Sequence, residues 1–195
     1  MTTLVDVEDE ALTMRDRVVS AAVVLTSEVG WSQVTMAKLA DVVGVSRQTV
    51  YNEIGSKPHL AEAMILRELD RFLAIVGVAF DRNPTDLVAA IRAASRRVLD
   101  HAQDNQLLHA VVSATHGADT ELLPLLTTHA ESLLGVAKVV ISDRIEPYDV
   151  NLDRKHLEAA IDAVVRLVLS HVMQPSGTPA DTADDIAWIA ERVLR

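Results

Sequence analysis

Val34-Thr-Met-Ala-Lys-Leu-Ala-Asp-Val-Val-Gly-Val-Ser-Arg-Gln-Thr-Val-Tyr51 holds a short amphipathic run, a glycine and a second short run with almost no spare residues. That order is a helix-turn-helix pattern. Thr35 is placed to cap the first helix, with Leu39, Ala40 and Val43 facing inward and Ala40 small enough for two helices to cross there. Gly44 supplies a positive φ at the turn, Val45 fills the angle between the helices, and Ser46 caps the second one.

The second helix presents Arg47, Gln48 and Thr49 at its N-terminal end while Val50 and Ile54 point back into a core. In a major groove, which is wide enough to admit a helix, Arg can pair bidentately with guanine O6 and N7 and Gln with adenine N6 and N7. Tyr51 is placed to meet a phosphate or a thymine methyl, and Asn52 follows it on the same helix. Lys57 opens the next helix, where it can reach a phosphate together with that helix's own N–H groups. Thr35, Arg47, Gln48, Thr49, Tyr51, Asn52 and Lys57 are therefore the candidate contacts to double-stranded DNA.

Outward from this segment, apolar residues recur in steps of three and four, as in Val18, Ala22, Leu25, Val29 and in Leu157, Ile161, Val164, Val168, Val172. No period-two strand is visible, so the fold expected is all-α with about nine helices. These run approximately 13–29, 36–43, 47–54, 57–80, 86–103, 106–115, 120–144, 153–173 and 180–194. Breakers fall between them: Gly30, Gly44, Gly55-Ser56, Asn83-Pro84-Thr85, Pro147 and Pro175 to Pro179. Residues 1–56 are expected to form an N-terminal arm and a three-helix DNA-binding domain, and residues 57–195 a larger six-helix body.

Residues 15–60 resemble the DNA-binding domain of the TetR family of bacterial transcriptional repressors. The resemblance is carried by Ala21-Ala22, Gly30-Trp31, Thr35, Leu39-Ala40, Gly44-Val45-Ser46, Thr49-Val50-Tyr51, Ser56-Lys57 and Leu60. It implies a homodimer that binds a palindromic operator, blocks transcription and leaves the DNA when a small molecule enters the C-terminal domain. Two positions depart from the family pattern. Glu53 stands where His or Tyr is common near the phosphates, and Ile54 replaces the usual Phe.

The formal charge of the chain is -10, which by itself opposes a phosphate backbone. Its distribution matters more, because a Debye length of about 10 Å screens distant charge. Residues 14–60 hold Arg15, Arg17, Lys38, Arg47 and Lys57 against Asp16, Glu28, Asp41 and Glu53, a net of +1. The acid lies in the first 13 residues and in the body. Low background affinity and a modest salt dependence are expected.

In the body, nearly every position of residues 157–173 is apolar, with Asp162, Arg166 and Ser170 standing four apart in one narrow polar stripe. Leu157, Ile161, Val164, Val168 and Val172, with Ile186, Ile189, Ala190 and Val193 of the last helix, are the candidate dimer interface in a four-helix arrangement. An ordinary core helix is the alternative. Leu99, Gln103, Leu108, Val112, His116, Leu126, His129 and Leu133 are candidate walls of an effector pocket. With only 3% aromatic residues in the chain, such a pocket suits an aliphatic or otherwise hydrophobic effector. A packed core without a cavity is the competing reading.

Enzyme chemistry finds little support. The chain has no Cys, no His-Glu-x-x-His, no Glu with a His three residues later, no glycine-rich phosphate loop and no Gly-x-Ser-x-Gly elbow. No metal, cofactor or catalytic residue is expected. Charges interrupt every apolar run before about 18 residues, so no membrane partner is expected. The N-terminus lacks the features of a secretory signal, and with no Cys a reducing cytoplasm is the expected location. A helical carrier or enzyme that only resembles a DNA reader, and an activator using the same module, remain open alternatives.

Overall fold

Thr13 starts the first helix by exchanging hydrogen bonds with Asp16: its hydroxyl accepts from Asp16 N at 3.1 Å and its own N–H donates to the Asp16 carboxylate at 3.2 Å. This capping box begins α1, Met14–Val29. The same local chemistry opens α2, Met36–Val43, where Thr35 accepts from Lys38 N, and α3, Arg47–Ile54, where Ser46 accepts from Thr49 N at 3.0 Å. Gly44 closes α2 in the left-handed region at φ 76° and ψ 38°, so a side chain there would be strained even though space is open around it.

The computed structural model describes residues 12–105, 107–109 and 130–194, without the side chains of 130–132. Among them are eight α-helices, one short 3-10 helix and no strand. The 3-10 helix, Trp31–Gln33, is too short to leave a periodic signal and does not figure in the pattern of apolar steps. The helix expected over 106–115 falls outside the described residues apart from 107–109, as do the first ten residues of the one expected over 120–144.

The chain divides into two compact units, Met1–Met64 and Ile65–Arg195. The division lies inside α4, Lys57–Asp81, rather than before it at residue 57 as expected. The reason is in the packing: Leu60, Ala61, Ala63 and Met64, the first turns of α4, are buried with the helix-turn-helix unit.

In the first unit α1, α2 and α3 pack on one another around Val18, Val34, Leu39 and Val50, all fully buried. Each such side chain contributes about 1.5–3 kcal/mol by leaving water. Two arginines of α1 tie the unit together. Arg15 donates to the Glu53 carbonyl at the end of α3 (2.7 Å), and Arg17 to the Val43 carbonyl at the end of α2 (3.1 Å). Both cations sit where helix C-termini carry partial negative charge.

The second unit continues with α5 (Leu87–Gln103), α6 (Ala130–Ile145), α7 (Arg154–Met173) and α8 (Pro179–Val193). Asp86, Asp153 and Thr178 cap α5, α7 and α8, and Pro179 stands in the first turn of α8, where no N–H is needed. Helix α5 packs most extensively against α8 and also against α7. Its small and branched inward residues, such as Ala90, Ile91 and Ala94, meet Ile161 and Val165 of α7 and Ile186 and Ala190 of α8 in one core.

Asp162 of α7 joins this helix to α6 by accepting from Arg166 Nε at 2.7 Å and from Lys138 Nζ at 2.9 Å. The Arg166 hydrogen bond first, and the Lys138 one second, hold its carboxyl below the usual range. A lowered folded value means that the stabilisation is present above the ordinary carboxyl pKa of about 4 and is lost as pH falls through the lowered value. Asp162→Asn should therefore unfold at a lower urea concentration than the wild type at pH 7. The two proteins should converge on acidification below about pH 4. A constant gap down to pH 2 would show that the ion pairs contribute nothing.

Candidate nucleic-acid interface and effector cavity

The N-terminal half of α3 carries Arg47 and Gln48 on its exposed side, followed by Tyr51 and Asn52, while Val50 and Ile54 are buried beneath. Gln48 Nε2 donates to Asn52 Oδ1 at 2.9 Å, which fixes both amides in one plane of reach along the helix. Thr49 is half-buried, with its hydroxyl 2.9 Å from that of Ser46, and thus serves the start of the helix as much as any ligand. Thr35 likewise caps α2.

Of the unit's basic side chains, Arg15 and Arg17 hold carbonyls, Lys38 Nζ donates to the Gln33 carbonyl at 3.0 Å, and Lys57 Nζ lies 4.9 Å from the centre of the Trp31 ring. Arg47 has no such contact among the described residues. Lys57 is thus engaged by a cation–π contact rather than held out into solvent. Sequence reasoning missed the roles of Arg15 and Arg17, since their partners lie 38 and 26 residues away and leave no local pattern. The Arg15 guanidinium at the Glu53 carbonyl also places a cation at the residue whose acidity stood out in the sequence.

The second unit holds a partly open cavity of about 380 Å³ between α4, α5, α6, α7 and α8, within the roughly 300–1,000 Å³ range of small-molecule sites. Among the described residues its walls are apolar except for Glu68 and Ser95. Of the expected pocket residues, Leu108 and Leu133 line it. Leu99 and Gln103 do not: they line a separate cleft with His109 and His171. The helical stripe that joins Leu99 to Leu108 in sequence turns away from the cavity because α5 gives its Ala94, Ser95 and Val98 side to it. Val112, His116, Leu126 and His129 lie outside the described residues.

The expected dimer interface needs correction. Ile161, Ile186 and Ala190 are buried inside the chain's own core and have no surface to offer a partner. Leu157, Val164, Val168 and Val172 are partly buried against that core and line the cavity, whereas Ile189 and Val193 line the cavity but stay exposed. The periodic stripe in the sequence was the inward one. The outward apolar residues of the same helices are Leu169 and Met173 on α7 and Trp188, Ile189 and Val193 on α8.

Two family models match the chain. Residues 18–64 match "Bacterial regulatory proteins, tetR family", and residues 86–192 match "Bacterial Tetracyclin repressor, C-terminal domain". The chain belongs to the TetR family. TetR-family regulators are ligand-responsive DNA-binding repressors, and the two matched regions coincide with the helix-turn-helix unit and the cavity-bearing helices. This TetR-family chain is 29% identical to the HTH-type transcriptional regulator AlkX of Mycobacterium tuberculosis over 174 residues, 89% of this chain and 82% of that protein. Among solved structures it resembles the TetR-family repressor AlkX of a Dietzia strain, implicated in biodegradation of n-alkanes. The TM-score is 0.71 at 25% identity, covering 94% of this chain and 98% of the other. The fatty acid degradation regulator FadR of Bacillus halodurans shares the fold, with a TM-score of 0.58 at 18% identity, covering 92% and 99%. No described helix is long and apolar enough to cross a membrane.

Proposed function

We propose that this TetR-family regulator represses transcription as a cytoplasmic homodimer on a palindromic operator and is released by an aliphatic small molecule. The observation that carries the effector class is the 380 Å³ cavity with its almost wholly apolar walls. Such walls, which among the described residues are mostly Leu, Val, Ile and Ala with Phe72 and Phe80, gain about 25 cal/mol for each Å² of apolar ligand surface removed from water. The likeness to the Dietzia AlkX, itself implicated in n-alkane biodegradation, points the same way. The regulator is not an enzyme in this reading.

The first unit reads DNA through Arg47, Gln48, Tyr51 and Asn52, with Thr35, Thr49 and Lys57 supporting. The second holds the effector and pairs with another copy through Leu169, Met173, Trp188, Ile189 and Val193, whose exposure supports that role. Helix α4 begins in the DNA-reading unit and its later turns line the cavity. An effector that repacks α4 changes the spacing of the two recognition helices from the roughly 34–36 Å that suits half-sites one turn apart.

An electrophoretic shift with the DNA upstream of the protein's own gene, repeated with increasing medium-chain aliphatic compounds, tests this. Retardation that these compounds reverse is expected. A complex that survives saturating aliphatic ligand would remove the effector class, and no retardation at low salt would remove the operator.

A further inference from the structure

Glu68 and Ser95 are the two polar side chains among the described walls of the cavity, and both are more than nine-tenths buried. They differ in how they are satisfied. The Glu68 carboxylate lies 2.8 Å from His101 Nε2 and 3.3 Å from Arg71 Nη1, and it also accepts from Asn105 Nδ2. Against a carboxylate, which only accepts, the His101 nitrogen carries the hydrogen. Arg71, His101 and Asn105 meet Glu68 without themselves lining the cavity. Ser95 on α5 is 3% exposed, and its hydroxyl has no hydrogen-bond partner among the described residues.

A buried hydroxyl facing an apolar space is poorly satisfied until something enters with a polar group. The shape and chemistry of that group follow from what the walls present: one hydroxyl that can donate and accept, and one carboxylate that can only accept. A ligand carboxylate would bring a second acid into a low-dielectric cavity whose described walls offer no cation and where Arg71 is already taken up by Glu68, so it would lose its water without a counter-charge. A bare hydrocarbon would leave Ser95 unpaired.

We propose that Ser95 and Glu68 select an aliphatic ligand with an uncharged, hydrogen-donating head, a primary alcohol being the simplest member of the class. This rests on the aliphatic cavity proposed above. Ser95 exchanges hydrogen bonds with the head, and Glu68 excludes the acid of the same chain length.

Displacement of the neutral fluorescent probe N-phenyl-1-naphthylamine from the full-length protein at pH 7.5 tests it without DNA. Three competitors of one chain length are compared: 1-decanol, decanoate and decane. 1-Decanol should displace the probe at about tenfold lower concentration than decanoate, because the charged head loses its water beside Glu68 with no cation to receive it. Ser95→Ala should weaken 1-decanol about tenfold and leave decane unchanged. Glu68→Gln should narrow the gap between alcohol and acid.

Decanoate binding as well as 1-decanol, or Ser95→Ala leaving 1-decanol unchanged, would overturn the selection. Should Glu68→Gln fail to fold, the Ser95→Ala result and the wild-type ratio decide the matter. Equal displacement by all three competitors would leave the aliphatic cavity standing and remove the selecting pair. Failure of the probe and of every competitor to bind would remove both.

Discussion

Leu39→Ala is expected to lower the stability of the helix-turn-helix unit by about 2–5 kcal/mol, the range for truncating a fully buried leucine. Leu39 has no solvent exposure, and it sits on α2 where this helix packs on α1 and α3. The cavity left behind cannot close easily, because α2 is only eight residues long and is held at both ends, by the Thr35 cap and by the Arg17 hydrogen bond to the Val43 carbonyl. A loss of that size is a large part of the 5–15 kcal/mol that holds a typical domain together.

The two tryptophans allow the effect to be located. Trp31 is buried in the first unit and Trp188 is exposed in the second. In a Trp188→Phe background, urea unfolding followed by Trp31 fluorescence should shift to markedly lower urea on adding Leu39→Ala. A shift worth less than about 1 kcal/mol would mean that Leu39 is not the keystone its burial indicates.

Arg47→Ala is expected to cost about 1–3 kcal/mol of operator affinity per half-site, or roughly 5- to 150-fold, and to relax sequence choice at one base pair. Arg47 is exposed on α3 with no intramolecular partner among the described residues, whereas Arg15, Arg17, Lys38 and Lys57 are engaged within the unit. The DNA-free protein thus keeps Arg47 available at little cost. The same engagement of the other cations argues for few phosphate contacts and a modest salt dependence. Titrations of wild type, Arg47→Ala and Tyr51→Phe on operator and single-base variants would measure this. Wild-type affinity in both mutants would remove α3 from the groove, and a salt slope equivalent to ten or more phosphates per dimer would contradict the charge map.

The acidity that set Glu53 apart now has a structural context. Its backbone carbonyl anchors Arg15, so the end of α3 is held by a cation from α1. In the sequence Arg15 counts only as one charge among the nine of residues 14–60. Its use as a helix-end clamp depends on α1 crossing the end of α3, a contact between residues 38 apart.

Legibility divides along the range of the interactions. Caps and turns act over three or four residues: Thr13, Thr35, Ser46, Asp86, Asp153 and Thr178 each bond to the third residue ahead, and Gly44 answers to its own φ. Helix α3 starts at Arg47 and α2 ends at Val43, as the spacing of those signals requires. The exposed edge of the recognition helix follows from them as well. So the all-α class and the candidate DNA-contact residues could be read from the sequence alone.

The faces of α7 and α8 could not. Residues 157–173 are apolar on most sides, and a helix of that kind does not reveal by its period which side turns inward. That choice was made by α5, whose small residues let α7 and α8 approach closely and draw Ile161, Ile186 and Ala190 into the core. The cavity, its two polar wall residues and the partly exposed strip at Trp188 all follow from that packing. The sequence by itself determined where helices begin, end and turn, because those signals are local. Tertiary structure alone decided which apolar face became core, cavity or surface, because burial is settled between helices far apart in the chain.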